Sequence, residues 1–204
     1  DDRLHVTPLD LLDCASIDAC ARAWRGPLHI LVNNAGVMAP PERHTREGWD
    51  TQFVVNHLGH FALALGLHEA LAAAGRARVV VVSSSSHQVS PVVFDDVHFD
   101  RRPYDPISAY GQSKTANVLF AVEAARRWAR DGIAVNALMP GAIPTPLQRH
   151  VGGVDQRQRS SPALHRHAQV LDPQARFGRL GGGCGGGLHR RLLARRPADD
   201  AVGD

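Results

Sequence analysis

Val79-Val80-Val81-Val82-Ser83-Ser84-Ser85-Ser86-His87 joins four consecutive β-branched residues to four serines, and its reading decides the fold. A valine run without polar alternation fits a strand buried on both faces, the condition of inner strands in a parallel sheet. The abrupt change to serine marks the strand's carboxyl end, where open α/β sheets place ligands. Comparable apolar runs lie at Leu4 to Thr7, Leu28 to Val32 and Ile133 to Leu138. Helical patterns fill the gaps. Ser16 is placed to cap a helix reaching Arg25, and Thr45 a longer one from Arg46 to about Ala74, stopped by Gly75. A third helix runs from Ser108 to Arg130 before Asp131-Gly132. Strand and helix in alternation predict an α/β protein with a doubly wound parallel sheet.

With 204 residues, 44% of them hydrophobic, the chain can bury one substantial core. Aromatic residues are only 5%, so Val, Leu, Ile and Ala supply most of the packing, as in sheets covered by helices. Cys14, Cys20 and Cys184 show no Cys-x-x-Cys spacing, which argues against a disulfide framework and against a metal site and points to a reducing, cytoplasmic setting. No apolar run approaches the roughly 20 residues of a membrane span. Asp1-Asp2-Arg3-Leu4-His5 has neither a leader pattern nor a starting Met, so a piece of a longer product is expected.

The net charge of +3 is unevenly spread, because the region before Val151 is close to neutral and the remainder is Arg-rich. Residues 1–150 therefore read as one partial domain, and 151–204 as a Gly- and Arg-rich tail with too little apolar surface to offset its ordering entropy. A short helix near Pro162 to Val170 is the exception expected there. A nucleic-acid-binding arm is the competing reading of the tail. It lacks the interleaved aromatics that stacking on single strands wants, and no nucleic-acid or membrane partner is expected.

Lys114 is the sole lysine of the chain. Tyr110 stands four residues before it in Tyr110-Gly111-Gln112-Ser113-Lys114, so a phenol and an ammonium share one helix face. A free tyrosine has a pKa of about 10, and a neighbouring cation favours its phenolate. Tyr110 can then exchange the proton of a hydroxyl or carbonyl group. A serine-hydrolase reading of Ser83 to Ser86 would want a Gly-x-Ser-x-Gly elbow, and none surrounds that run.

Several further motifs stand in order around this pair: Asn33-Asn34-Ala35-Gly36 after an apolar run, Asn56 within Phe53-Val54-Val55-Asn56-His57-Leu58-Gly59-His60-Phe61, the serine run, and Met139-Pro140-Gly141-Ala142-Ile143-Pro144-Thr145. From Leu4 to Arg149 the sequence resembles the short-chain dehydrogenase/reductase family, and within it the branch that contains retinol dehydrogenases. The resemblance implies a Rossmann-like sheet and hydride transfer between NADP or NAD, NADP being slightly favoured, and a small apolar alcohol or carbonyl. It implies a catalytic set of Asn56, Ser84, Tyr110 and Lys114. Cofactor contacts would fall on Asp10, Asn33, Ala35, Gly36, Tyr110, Lys114, Pro140, Gly141, Ile143 and Thr145. It further implies a homo-oligomeric parent. His57 and His60 read as helix-surface or packing residues.

The family's opening strand and its Gly-x-x-x-Gly-x-Gly turn, which bind the pyrophosphate, have no counterpart here. The sheet is expected to be incomplete at its N-terminal edge, and the cofactor to bind weakly. A catalytically silent fold, acting only as a binding or vestigial protein, is the alternative. Arg179 to Arg191 can be encoded by codons whose neighbouring frame reads Ala-Ser-Glu-Glu-Gly-Ala-Ala-Ala-Ala-Ser-Thr-Val-Val, which resembles a family helix. A frameshift near Gly178 is therefore expected.

Overall fold

Alternation along the strands fixes which side of the sheet forms the core. The computed structural model describes residues 4–141, 145–151 and 169–171. Its sheet contains β1 (Ile30–Asn33), β2 (Ala77–Val82) and β3 (Ile133–Met139), parallel and adjacent in that order, with β4 (Gln169–Leu171) antiparallel on β3. Ala77, Val79 and Val81 of β2 and Ile133, Val135 and Ala137 of β3 are all buried to 2% exposure or less. They pack against Ile17, Phe61, Leu71, Val118 and Phe120 from the helices. Each such Val, Ile, Leu or Phe side chain contributes about 2 kcal/mol of apolar burial.

The helices are α1 (Cys14–Ala23), α2 (Thr51–Phe53), α3 (Gly59–Gly66), α4 (His68–Ala73) and α5 (Pro106–Trp128), with one π-helical turn, Val54–Leu58, joining α2 to α3. Aspartates start three of them. Asp13 accepts from Ala15 N, Asp50 from Phe53 N and Asp105 from Ser108 N, at 2.9, 2.9 and 2.7 Å, each satisfying an otherwise orphaned amide. Pro106 occupies the first turn of α5, where its missing N–H costs nothing. Gly132, at φ +74°, turns the chain out of the helical region into β3.

The parallel order and the strand–helix alternation are as the sequence predicts, and several details differ. Leu4 to Thr7 is not a strand, and Val6 is 88% exposed, because among the described residues no strand lies beside it to share hydrogen bonds. Asp13, not Ser16, caps α1; the Ser16 hydroxyl accepts from Asp10 N instead. The second helix starts at Asp50 rather than Thr45, since Gly48 at φ +84° reverses the chain between them. The valine run alternates in burial: Val79 and Val81 are fully buried, while Val80 and Val82 are half-buried. Among the described residues the helices cover one face of the sheet, and Ile30 and Val32 on the other are exposed. Gln169 to Val170, expected at the end of a helix, belongs to β4; the rest of that segment and the glycine run lie outside the described residues. No helix among the described residues is long and apolar enough to cross a membrane.

Close packing of the π turn and α3 onto the segment before α1 leaves no room at Gly59, where an added Cβ would sit 2.6 Å from the Leu11 carbonyl oxygen. Alanine would gain about 1 kcal/mol of helix propensity, yet overpacking against backbone costs about 1–3 kcal/mol. Gly59→Ala is expected to lower the urea midpoint, the clash outweighing the propensity.

Candidate active site

Three elements converge at the carboxyl end of β2: the serine turn that follows it, one face of α5, and the π turn before α3. Ser84 begins the short turn Ser85–Gln88, and its hydroxyl accepts from Ser86 N at 3.2 Å. Of the four serines, Ser84 is the one whose hydroxyl acts on the Tyr110 phenol, drawing its pKa down. Ser83 is buried and donates to the Lys114 carbonyl at 2.8 Å, which locks the turn to α5.

Tyr110 and Lys114 are each 4% exposed. The lysine Nζ lies 5.5 Å from the Tyr110 ring centroid and donates to the Val82 carbonyl at 3.1 Å. Asn56 is fully buried and ties the loop after β1 to the helices. Its Oδ1 accepts from Val37 N at 2.8 Å, and its Nδ2 donates to the Val37 carbonyl at 2.9 Å and to Ser113 Oγ at 3.0 Å. Gly36 belongs to the same contact, because a Cβ there would stand 2.9 Å from Asn56 Oδ1 and 3.8 Å from Lys114 Nζ.

The expected cofactor residues are spread around this centre. Asn33 ends β1, and both polar atoms of its side chain are buried without a hydrogen-bond partner among the described residues. Ala35 is exposed, and Gly36 half-buried. Pro140 and Gly141 follow β3, and Thr145 precedes the turn Pro146–His150. Ile143 lies outside the described residues. Asp10 is exposed and accepts from Leu12 N at 2.9 Å. Among the described residues no group of three or more His, Cys, Asp or Glu side chains could hold a metal ion.

His57 and His60 are buried packing residues that also carry polar ties. His57 Nδ1 lies 3.1 Å from Asn117 Oδ1, and His60 Nδ1 lies 3.2 Å from the Asn56 carbonyl. Asn117 escaped the sequence reading, although a costly mid-helix Asn three residues after Lys114 was a usable signal.

The electrostatics differ from the simple expectation for a phenol beside an ammonium. Burial pushes Tyr110 up, and the Ser84 hydroxyl pulls it back down. Burial pushes the Lys114 amine down to about 8. The ammonium turns to Val82, so in this geometry burial governs both groups. In the unfolded chain the amine keeps its proton up to about pH 10.5. Between about pH 8 and 10.5 the unfolded state thus binds more protons, and stability rises with pH. Lys114→Met is expected to stabilise the fold by about 2 kcal/mol at neutral pH. That gain should vanish above about pH 10.5 in denaturation curves.

The sequence and fold have close parallels. A family described as short chain dehydrogenase matches residues 2–154. A probable oxidoreductase of Streptomyces lividans is 64% identical over 150 residues, covering 73% of this chain and 50% of the relative. Retinol dehydrogenase 12 of Homo sapiens is 44% identical over 148 residues, 71% of this chain and 46% of its own, in keeping with the branch resemblance. A crystal structure of a gluconate 5-dehydrogenase from Burkholderia cenocepacia, in complex with NADP and tartrate, superposes with a TM-score of 0.54 at 25% identity, covering 72% of this chain and 55% of that one. The chain spans about half the length of the curated relatives it matches. On its motifs, its parallel sheet and these matches, the chain belongs to the short-chain dehydrogenase family.

Proposed function

We propose that the protein is an oxidoreductase that moves a hydride between a nicotinamide cofactor, NADP in preference to NAD, and a small apolar alcohol or carbonyl. The observation that carries this reading is the meeting, at the end of β2, of the serine turn with one face of α5, where the sole lysine donates to the Val82 carbonyl 5.5 Å from the Tyr110 ring and Ser83 bonds the Lys114 carbonyl.

The residues present fit such a cofactor. Asn33 offers a buried amide with no partner among the described residues, and Gly36 lets the chain pass close to Asn56 and Lys114 where a side chain would not fit. Asp10, Ala35, Pro140, Gly141 and Thr145 would border it on either side. The nicotinamide ring, when bound, supplies or accepts the hydride. Ser84 orients the substrate oxygen through its hydroxyl, and Tyr110 gives or takes the proton at its phenolic oxygen. Lys114 would hold the ribose of the cofactor through its ammonium and, with that charge beside the phenol, would favour the phenolate. Asn56 holds the loop carrying Gly36 against α5 through its bonds to Val37 and Ser113.

Two further features belong to this proposal. A groove of about 650 Å³, lined by Phe53, Leu58, Leu65, Val92 and Leu119, runs between the α2–α3 helical segment and α5. Leu65 and Leu119 are 40% and 39% exposed there, and we read this face as the contact between two copies of the protein. The free thiols of Cys14 and Cys20 support a cytoplasmic setting.

Tyr110→Phe should lower the rate of NADPH-dependent reduction of an apolar aldehyde by about 10³-fold with NADPH affinity unchanged. A rate within about tenfold of the parent would overturn the assignment of Tyr110 as the proton-exchanging group. Leu119→Glu is expected to shift light-scattering mass from dimer to monomer; an unchanged mass would remove α5 from the interface.

A further inference from the structure

Behind the lysine, one side-chain amide reaches two backbone carbonyls. Asn117 Nδ2 donates to the Asn56 carbonyl at 3.0 Å and to the Val82 carbonyl at 3.3 Å. The Val82 carbonyl is the oxygen that also accepts from Lys114 Nζ. With its nitrogen given to carbonyls, Asn117 presents Oδ1 to His57 Nδ1. An amide oxygen only accepts, so Nδ1 of His57 carries the hydrogen. Asn117 is 1% and His57 2% exposed. A flipped amide would set its oxygen against two carbonyl oxygens, and an unmade buried bond costs about 1–3 kcal/mol.

We propose that Asn117, oriented by His57, is a positioning residue for Lys114: it ties the Val82 carbonyl, on which the ammonium rests, to the Asn56 carbonyl. The imidazole on the groove side thereby sets where the lysine head sits. The reading rests on Lys114 belonging to the acid/base centre and assigns that centre two residues behind it. Facing the amine are Tyr110 from α5 and His60 from α3, while β2 brings the Val82 carbonyl and the loop after β1 brings Gly36. His60 is itself held down, first by burial and also by the lysine charge, against the pull of the Asn56 carbonyl.

Because Lys114 is the sole lysine, its titration can be followed on the full chain without cofactor or turnover. The rate of trace acylation is measured across about pH 6 to 11, with peptide mass spectrometry separating Lys114 from the terminal amine. Removing the amide leaves the Val82 carbonyl to the ammonium, which favours the charged form. Asn117→Leu and His57→Leu should therefore slow labelling near pH 7, where the free amine is the minor form, by about threefold or more, half a pKa unit. His57→Gln, whose amide can donate to Asn117 Oδ1, should restore the parental rate. If the leucine variant at 117 does not fold by circular dichroism, Asn117→Ser, too short to bridge both carbonyls, carries the same expectation. A folded variant at 117 with the parental titration would overturn the proposal. So would an equal shift in His57→Gln and His57→Leu, since packing alone would then explain it. Absence of NADPH binding and turnover in the parent, beside an intact labelling shift, would remove the oxidoreductase reading and leave the positioning role. Turnover without a labelling shift would do the reverse.

Discussion

A lysine that is 4% exposed needs an acceptor for its charge, and the Val82 carbonyl at the end of β2 provides it. Much of the surrounding structure serves that one contact. Val82 is the last residue of a strand paired with β1 and β3, so its carbonyl is held by the sheet rather than by a mobile loop. Ser83 then bonds the Lys114 carbonyl, and Ser84 reaches Tyr110. Strand end and helix face are stapled at two successive positions, Val82 and Ser83. Holding the amine there has a cost in stability that its lowered pKa records.

Helix α5 supplies the other half by periodicity alone. Tyr110, Ser113, Lys114 and Asn117 fall at intervals of three or four and so share one face, and all are buried. Leu119, on the other side, faces the groove. The register is set by Asp105 and Pro106 at the helix start, far enough from the chemistry to fix α5 without entering it. Opposite this face the π-helical turn holds Asn56 and His57 in consecutive positions. Asn56 points its amide at the loop after β1, and His57 bonds Asn117. An extra residue in a helix commonly marks a functional place, and here it lets neighbouring residues serve two sides of one site.

Much of this was legible in the sequence where local chemistry and fold agree. The serine run at a valine strand's end, the Tyr110 and Lys114 spacing and the Asp131-Gly132 stop each carry their own physical reason, and β2, β3 and α5 lie within a few residues of the expected bounds. The misses share another cause. Leu4 to Thr7 has the composition of a strand, but composition cannot supply a pairing partner. Thr45 and Ser16 are good caps in isolation, yet Asp50 and Asp13 stand closer to the first committed turn. Four valines hide an alternation that only the position of the helices decides. His57 and His60 read as ordinary helix residues because their partners are a side chain from α5 and a backbone carbonyl made available by the π turn.

The placement of polar groups separates structural from chemical demand. Asn56 and Asn117 have their side-chain polar atoms engaged, as buried amides in a core require. Asn33 is equally buried, yet neither of its polar atoms has a partner among the described residues. Leaving such a group unsatisfied costs about 1–3 kcal/mol, a cost the fold could have avoided with an apolar residue at the end of β1. Retaining the amide makes sense if a group from outside the described residues completes its bonds. The position of Asn33, three residues before Gly36 and at the carboxyl end of a parallel strand, is where an open α/β sheet receives a ligand. Lys114 and Asn33 thus share one logic: among the described residues each polar group is partly or wholly unspent, and each lies at the carboxyl end of the parallel strands, the edge at which open α/β sheets take ligands.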